Sequence, residues 1–367
     1  MSDFSSVIGQ TLDALDTPSL IADLDLMEAN VAQIARVCVA NKVAWRPHCK
    51  SHKSPAVMKR LIAAGAVGVT CAKLSEAETM AEAGITDILI ANQIVGPLKI
   101  ARLMALRAKA EVMVAVDGAD NVAALAAAAA EVGLVLGVLI EVDTGSGRAG
   151  VQPGEAVVDL ARIIGDYPSL RLAGVMTWEA HVTRIADRDQ KRRAVEAAVG
   201  ALIDSAEFCR VADIAIDVVS CGGTGTYEFT AAIPGVTEIQ AGGGIFGDVH
   251  YRELYHVPVE YGLTLLATVT SRPNSKRVIC DAGKKAMSTD AGVPIPLDLP
   301  AVESVSFSAE HGKIELKSPS VKPRVGDRIR FVVGYADTTV HLHSEIFATR
   351  RGHIEEVWRI PTRARLR

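Results

Sequence analysis

Ser220-Cys221-Gly222-Gly223-Thr224-Gly225-Thr226-Tyr227, followed one short segment later by Gln240-Ala241-Gly242-Gly243-Gly244-Ile245, is the stretch whose reading decides the fold. Each glycine-rich run follows a short apolar, β-branched segment, residues 217–220 in the first case and 238–240 in the second. Six more such segments precede them, at residues 44–47, 68–72, 87–91, 111–116, 137–142 and 172–177. Helical patterns lie between. Residues 189–212 place Val195, Ala198, Leu202 and Ala206 on one face, and residues 75–82 open on a capping-box pattern of Ser75 and Glu78. Strands alternating with helices predict a parallel sheet, and eight of them predict a closed (β/α)8 TIM-type barrel. An open doubly wound sheet is the alternative, but no G-x-G-x-x-G run follows an early strand. In a barrel, loops after the seventh and eighth strands form the usual phosphate site. Backbone N–H groups of the two glycine-rich loops, free of Cβ obstruction and helped by Thr224, can surround a dianion there.

Outward from this core, an entry strand at residues 19–24 and a helix bearing Val31, Ile34 and Cys38 come first. From about Tyr255 the pattern changes. Pro273, Pro294, Pro296, Pro300 and Gly312 punctuate short alternating runs such as 263–269, 277–280 and 328–333, which predict an antiparallel β-domain. The expected division is a barrel over 18–254 and a β-domain made of 1–17 and 255–367.

With 367 residues, 49% of them hydrophobic, the chain has material for a large core. A net charge of −4 leaves no basic footprint for nucleic acid. The six cysteines form no C-x-x-C pair and fit reduced thiols in a cytoplasmic protein. Residues 1–6 lack a basic and apolar leader pattern, and the apolar stretch 122–140 is broken by Glu131, Gly133 and Gly137, so no membrane span is expected.

The chemistry is concentrated at strand ends. In Trp45-Arg46-Pro47-His48-Cys49-Lys50-Ser51-His52-Lys53, Pro47 keeps the preceding residue extended, and a lysine follows at the mouth of the first barrel strand. Such a lysine can form a Schiff base with a carbonyl cofactor, above all pyridoxal phosphate. The fifth strand ends in a flexible loop, residues 141–150, whose Arg148 could hydrogen-bond a phenolate oxygen. After the sixth, Trp178 could stack on a flat heterocycle. Gln240 stands where it would face a ring nitrogen as a neutral partner. Read singly, these are also a solvated loop, a turn arginine and rim packing. Placed at the ends of consecutive strands, they converge on one rim.

Together these residues resemble the fold type III pyridoxal-phosphate enzymes, the group containing alanine racemase, and within it the D-threonine aldolase and D-serine dehydratase family. The resemblance runs through Thr17-Pro18, Arg46-Pro47-His48-x-Lys50-x-His52-Lys53, Cys71-Ala72-Lys73, Glu78 and Glu141-x-Asp143-x-Gly145-x-Gly147-Arg148-x-Gly150. It continues in Gly222-Gly223-Thr224-Gly225-Thr226, Asp281-Ala282-Gly283-x-Lys285-Ala286 and Glu310-His311-Gly312. It implies Lys50, not Lys53, as the Schiff-base lysine, Arg148 as a cofactor-oxygen ligand, and Gly223, Thr224, Gly242 and Gly243 around the phosphate. It implies His181 as a candidate acid or base, and a homodimer; Glu179, which shares that strand end, is the second candidate.

One departure concerns the family's divalent-metal site. In residues 334–343, Asp337 matches a ligand while Tyr335 stands where histidine is expected, and a neutral phenol is a poor ligand beside imidazole. On an extended chain His341 lies ~13 Å from Asp337, too far to share its ion. A weakly held Mg²⁺ or Mn²⁺ is the resulting expectation. The implied activity is a pyridoxal-phosphate-dependent lyase acting on a D-configured β-hydroxy-α-amino acid, with retro-aldol cleavage to glycine and an aldehyde preferred. Dehydration of the same substrate class is the alternative. So is racemisation, for which Tyr255 and Tyr261 are available as second bases, and a non-catalytic cofactor carrier is the reading from another class.

Overall fold

The structure, a computed structural model, describes residues 4–367. The chain divides into two compact units. One comprises the chain as far as Val31, with Ser51–Ser54 and Gly243–Ala364; the other comprises Ala32–Lys50, Pro55–Gly242 and Arg365–Arg367.

After β1 (Ser19–Asp23) and α1 (Leu24–Asn41), strands and helices alternate as the sequence predicts. They are β2 (Ala44–Trp45), α2 (Pro55–Ala63), β3 (Val69–Cys71), α3 (Leu74–Glu82), β4 (Asp87–Gln93), α4 (Pro97–Arg107), β5 (Glu111–Val116), α5 (Ala119–Glu131) and β6 (Leu136–Glu141). α6 (Glu155–Gly165), β7 (Leu170–Met176), α7 (Arg188–Val211), β8 (Val218–Cys221), α8 (Tyr227–Thr230) and β9 (Glu238–Ile239) complete the series. All pairings in the order β2-β9-β8-β7-β6-β5-β4-β3 are parallel. A bridge between His48 and Thr70, with Thr70 N–H donating to the Pro47 carbonyl at 3.0 Å, joins β2 to β3 and closes the barrel. Every residue of β6 is buried, as a parallel strand covered on both faces requires. Leu89, Ala115, Leu139, Ala173 and Met176, from four consecutive strands, pack into one cluster.

α7 buries Val195, Ala198, Leu202 and Ala206, the face its periodicity predicts, and Asp187 caps it by accepting from Gln190 N at 2.7 Å. The cap of α3 differs from the sequence pattern. Glu76, not Glu78, closes it, its Oε2 accepting from the N–H groups of Ala72 (2.7 Å) and Lys73 (3.1 Å). Ser75 Oγ donates instead to the Arg365 carbonyl, and Glu78 pairs with Arg102 on α4.

The other unit is built on a mixed sheet. Its strands are β10 (Leu263–Ser271), β11 (Arg277–Cys280), β12 (Ile295–Leu297), β13 (Val302–Phe307), β14 (Gly312–Leu316), β15 (Arg328–Val332), β16 (Glu345–Arg350) and β17 (His353–Arg359), together with β1. β1 lies antiparallel to β10 and parallel to β16, so the expected all-antiparallel arrangement has one parallel pair. Ile21, Leu266, Phe347 and Ile354 form its buried cluster with Leu15. Thr17 and Asp281, far apart in the chain, meet here: Thr17 Oγ1 donates to Asp281 Oδ2 at 2.5 Å while Oδ1 accepts from Thr268 N at 2.8 Å. A short helix, α9 (Ala336–Val340), occupies the segment expected to be extended. All six cysteines are free and buried, and no helix among the described residues is long and apolar enough to cross a membrane.

Candidate active site

The residues singled out in the barrel all follow the C-terminal ends of its strands. Lys50 sits in a 3-10 turn, Cys49–Ser51, just past β2. Its backbone N–H points to His48 Nδ1 at 3.4 Å, and the residue is half-buried. The competing lysines stand elsewhere. Lys53 is buried with φ 51° in the Ser51–Ser54 segment of the other unit, and Lys73 is the cap residue of α3.

Past β6, Asp143 Oδ1 accepts from Gly145 N and Gly147 N, each at 3.0 Å, and so folds the loop that carries Arg148. Arg148 Nη2 pairs with Glu141 Oε1 at 3.0 Å, and Gln93 Nε2 donates to Glu141 Oε2 at 2.7 Å. Glu141 is buried while the guanidinium is 56% exposed, so the cation is anchored on one side and open on the other.

Past β7, Trp178 is half-buried and lies against Gly223. A Cβ built on Gly223 would stand 2.4 Å from the indole Cη2 and Cζ3. The loop past β8 therefore follows the indole face closely, and any Cβ at 223 would push the indole away. Its neighbour Gly222 turns the chain at φ 73°, a left-handed conformation that glycine adopts without strain. Thr224 is buried between them and the start of α8. His181 is exposed on the same rim, its Nε2 lying 2.9 Å from where a Cβ on Gly145 would be.

Glu179 behaves otherwise than its position suggests. It is fully buried and accepts from Thr226 Oγ1 (2.6 Å), Thr230 Oγ1 (2.9 Å) and Gly222 N (3.4 Å). A carboxylate so engaged shapes the glycine loop, and with no accessible surface it does not present its remaining lone pair to a substrate proton. This corrects its standing as a second candidate base beside His181. The acid in Trp178-Glu179 was visible in the sequence, but its three donors come from the next strand's loop and helix.

Past β9, Gln240 holds its place through its backbone. Its N–H donates to the Gly222 carbonyl at 2.9 Å, and its carbonyl accepts from His48 N at 3.1 Å. A Cβ on Gly242 would fall 2.3 Å from the His48 carbonyl oxygen, so this glycine lets the β9 loop pass close to the β2 loop. Gly243, the next residue, opens the other unit and is crowded by the Tyr251 hydroxyl.

Asp337 lies in α9, and the helix changes its relation to His341. Four residues of helical rise separate the two by about 6 Å, on one face. The larger distance expected for an extended chain does not hold. His343 Nε2 bonds to the Ala286 carbonyl at 2.7 Å, and burial lowers its pKa. Tyr335 is hydrogen-bonded to Tyr251 and Asp337, and Tyr251 Oη lies 3.4 Å from Asp337 Oδ1. Burial, then the Asp337 charge, raises the pKa of the Tyr335 phenol. Nearby Asp248 is raised to about 8 by burial, against the N–H groups of Tyr251 and Ala336 that it accepts from. No three His, Cys, Asp or Glu side chains among the described residues converge as metal ligands. Phenols bonded to one carboxylate do not fit a tightly bound divalent ion.

The barrel rim has a different chemistry. An amine, an anchored guanidinium, an indole face, a glycine-rich loop whose Gly223 N–H is held by Thr226 Oγ1 at 3.2 Å, and an amide correspond to the parts of a phosphorylated pyridine aldehyde, so these residues fit pyridoxal phosphate.

Comparison with known proteins agrees. The family described as alanine racemase, N-terminal domain, matches residues 22–250, and a putative serine dehydratase domain matches 262–349. A D-threonine aldolase from an Arthrobacter species is 36% identical over 358 residues, covering 97% of this chain and 94% of that protein. A D-threo-3-hydroxyaspartate dehydratase from a Delftia species is 35% identical over 287 residues, 77% of this chain and 75% of that one. The crystal structure of D-threonine aldolase from Filomicrobium marinum matches with a TM-score of 0.94 at 33% identity, covering 98% of this chain and 99% of that one. Barrel, second domain and rim chemistry thus lead to one conclusion: the chain belongs to the pyridoxal-phosphate-dependent alanine racemase-like family, in the group whose second domain is of the serine dehydratase kind.

Proposed function

We propose that this protein is a pyridoxal-phosphate-dependent lyase that cleaves a D-configured β-hydroxy-α-amino acid to glycine and an aldehyde. The observation that carries this reading is Lys50 at the mouth of β2, in a chain similar over nearly its whole length to a D-threonine aldolase. Bound pyridoxal phosphate supplies an electron sink for the pair released at Cα.

The protein's own groups do the rest. Lys50 Nζ is the amine that holds the cofactor, and Arg148, braced by Glu141, hydrogen-bonds its phenolate oxygen. Gly223, Thr224, Gly242 and Gly243 surround the phosphate, Trp178 covers one ring face, and Gln240 meets the ring nitrogen. His181, exposed on the rim, takes the proton from the substrate's β-hydroxyl oxygen. As that oxygen becomes a carbonyl, the Cα–Cβ bond breaks and the aldehyde departs. A proton delivered to Cα completes glycine. Asp337 is the one residue matched to a metal ligand, and no step is assigned to an ion there.

Dehydration is the second reading, favoured by the Delftia relative. Loss of hydroxide from Cβ calls for a strong Lewis acid, and Tyr335 weakens the position where one would be held. Products separate the two readings: an aldehyde with glycine, or an α-keto acid with ammonia. Borohydride reduction followed by peptide mapping tests the cofactor assignment. The label is expected on Lys50, and label on Lys53 or Lys73 would overturn it.

A further inference from the structure

Behind Gln240 runs a buried chain of polar groups drawn from β2, β8 and β9. Arg46 Nε pairs with Glu238 Oε2 at 2.7 Å, and Arg46 Nη1 with Asp87 Oδ1 at 2.6 Å. Arg46 and Glu238 are nearly inaccessible, with side chains 6% and 5% exposed. Ser220 Oγ lies 2.8 Å from Glu238 Oε1, and Gln240 Nε2 lies 3.0 Å from Ser220 Oγ. The alternation of a strand puts Glu238 and Gln240 on the same face of β9, and the β8–β9 register sets Ser220 opposite Glu238.

The proton count along this chain has one solution. Glu238, ion-paired to Arg46, only accepts. The single hydroxyl proton of Ser220 therefore goes to Glu238, and Ser220 Oγ can only accept from its other neighbour. The end of the Gln240 amide that meets Ser220 must be its NH₂. Turning the amide over would set two oxygens together with one proton between them and Glu238, in a site with no water-accessible surface on Ser220.

We infer that Arg46, Glu238 and Ser220 are positioning residues that turn the Oε1 end of Gln240 toward the cofactor's ring nitrogen, so that the ring is held with that nitrogen protonated. An amide oxygen has no proton to give, so it pairs only with N–H. Turned this way, a neutral residue selects the more electron-withdrawing form of the ring, though less strongly than a carboxylate would. The inference rests on the cofactor reading above and adds to it the protonation state of the ring.

The test is the ring-¹⁵N chemical shift of the enzyme reconstituted with ¹⁵N-labelled pyridoxal phosphate near neutral pH, with borohydride labelling of Lys50 as a parallel measurement. The wild type should show the pyridinium shift. Ser220→Ala frees the amide and should move the signal toward free-base pyridine while Lys50 is still labelled. Gln240→Leu, which removes the acceptor, should do the same, and Ser220→Thr, which keeps the hydroxyl, should restore the wild-type position. A free-base shift in the wild type, or a pyridinium shift that persists in both Ser220→Ala and Gln240→Leu, overturns the relay. Failure of Lys50 to take the label in the wild type overturns the cofactor reading itself, and the relay with it.

Discussion

Replacing Gly223 with alanine tests the contact on which the cofactor site turns. The added Cβ would stand 2.4 Å from two indole carbons of Trp178, where carbon atoms rest at about 3.5 Å, so the ring must retreat by about 1 Å. Without cofactor this is easy, because Trp178 is only half-buried and can swing outward. With Trp178 stacked on the pyridine ring as proposed, binding requires the indole back in place and so restores the clash. Overpacking of this kind costs about 1–3 kcal/mol, and here it appears as a cofactor dissociation constant raised about 5- to 150-fold. The assay is equilibrium titration of apoenzyme, followed by cofactor absorbance, beside a thermal melt of the apoenzyme that should barely change. In a Trp178→Ala background the same substitution should cost little, because the clashing partner is gone. An unchanged dissociation constant in Gly223→Ala, or an equal loss with and without the indole, would refute the reasoning.

His52 is fully buried, and burial, together with the Lys53 charge, lowers its pKa to about 3. The unfolded chain protonates this group near pH 6.5, so its contribution is intact above that value and is lost as pH falls. From about pH 7.5 to about pH 5 it removes about 2 kcal/mol of stability. His52→Asn, whose amide oxygen can still accept from Ser54 N, should flatten that part of a denaturation-versus-pH curve, and an unchanged slope would count against it. For Asp337, elemental analysis of the purified protein should find no stoichiometric zinc. Any dependence on Mg²⁺ or Mn²⁺ should appear only at millimolar ion, tighten in Tyr335→His and vanish in Asp337→Ala; tightly held zinc would show the donor set to be misjudged. Sedimentation at micromolar concentration should give a homodimer, and a fully active monomer would rule that out.

Much of this protein is local enough to be read along the chain. The eight barrel strands, the face of α7, the lysine past β2 and the two glycine loops follow from alternation, periodicity and strand-end position, all of which operate over a few residues. What the tertiary structure alone decided is where distant groups meet. β1 joins the mixed sheet because its partners, β10 and β16, come more than two hundred residues later. Asp337 and His341 share a helical face because α9 forms where alternation suggested an extended chain. Glu179 looked like a rim acid, but folding surrounds it with donors from Gly222, Thr226 and Thr230 and makes it a fixture of the loop. Arg46 and Glu238 are separated by most of the barrel in sequence, yet barrel closure sets β2 beside β9 and buries them as a pair. A charge is tolerated in such a place only when its partner arrives with it, and no local pattern says which partner that will be.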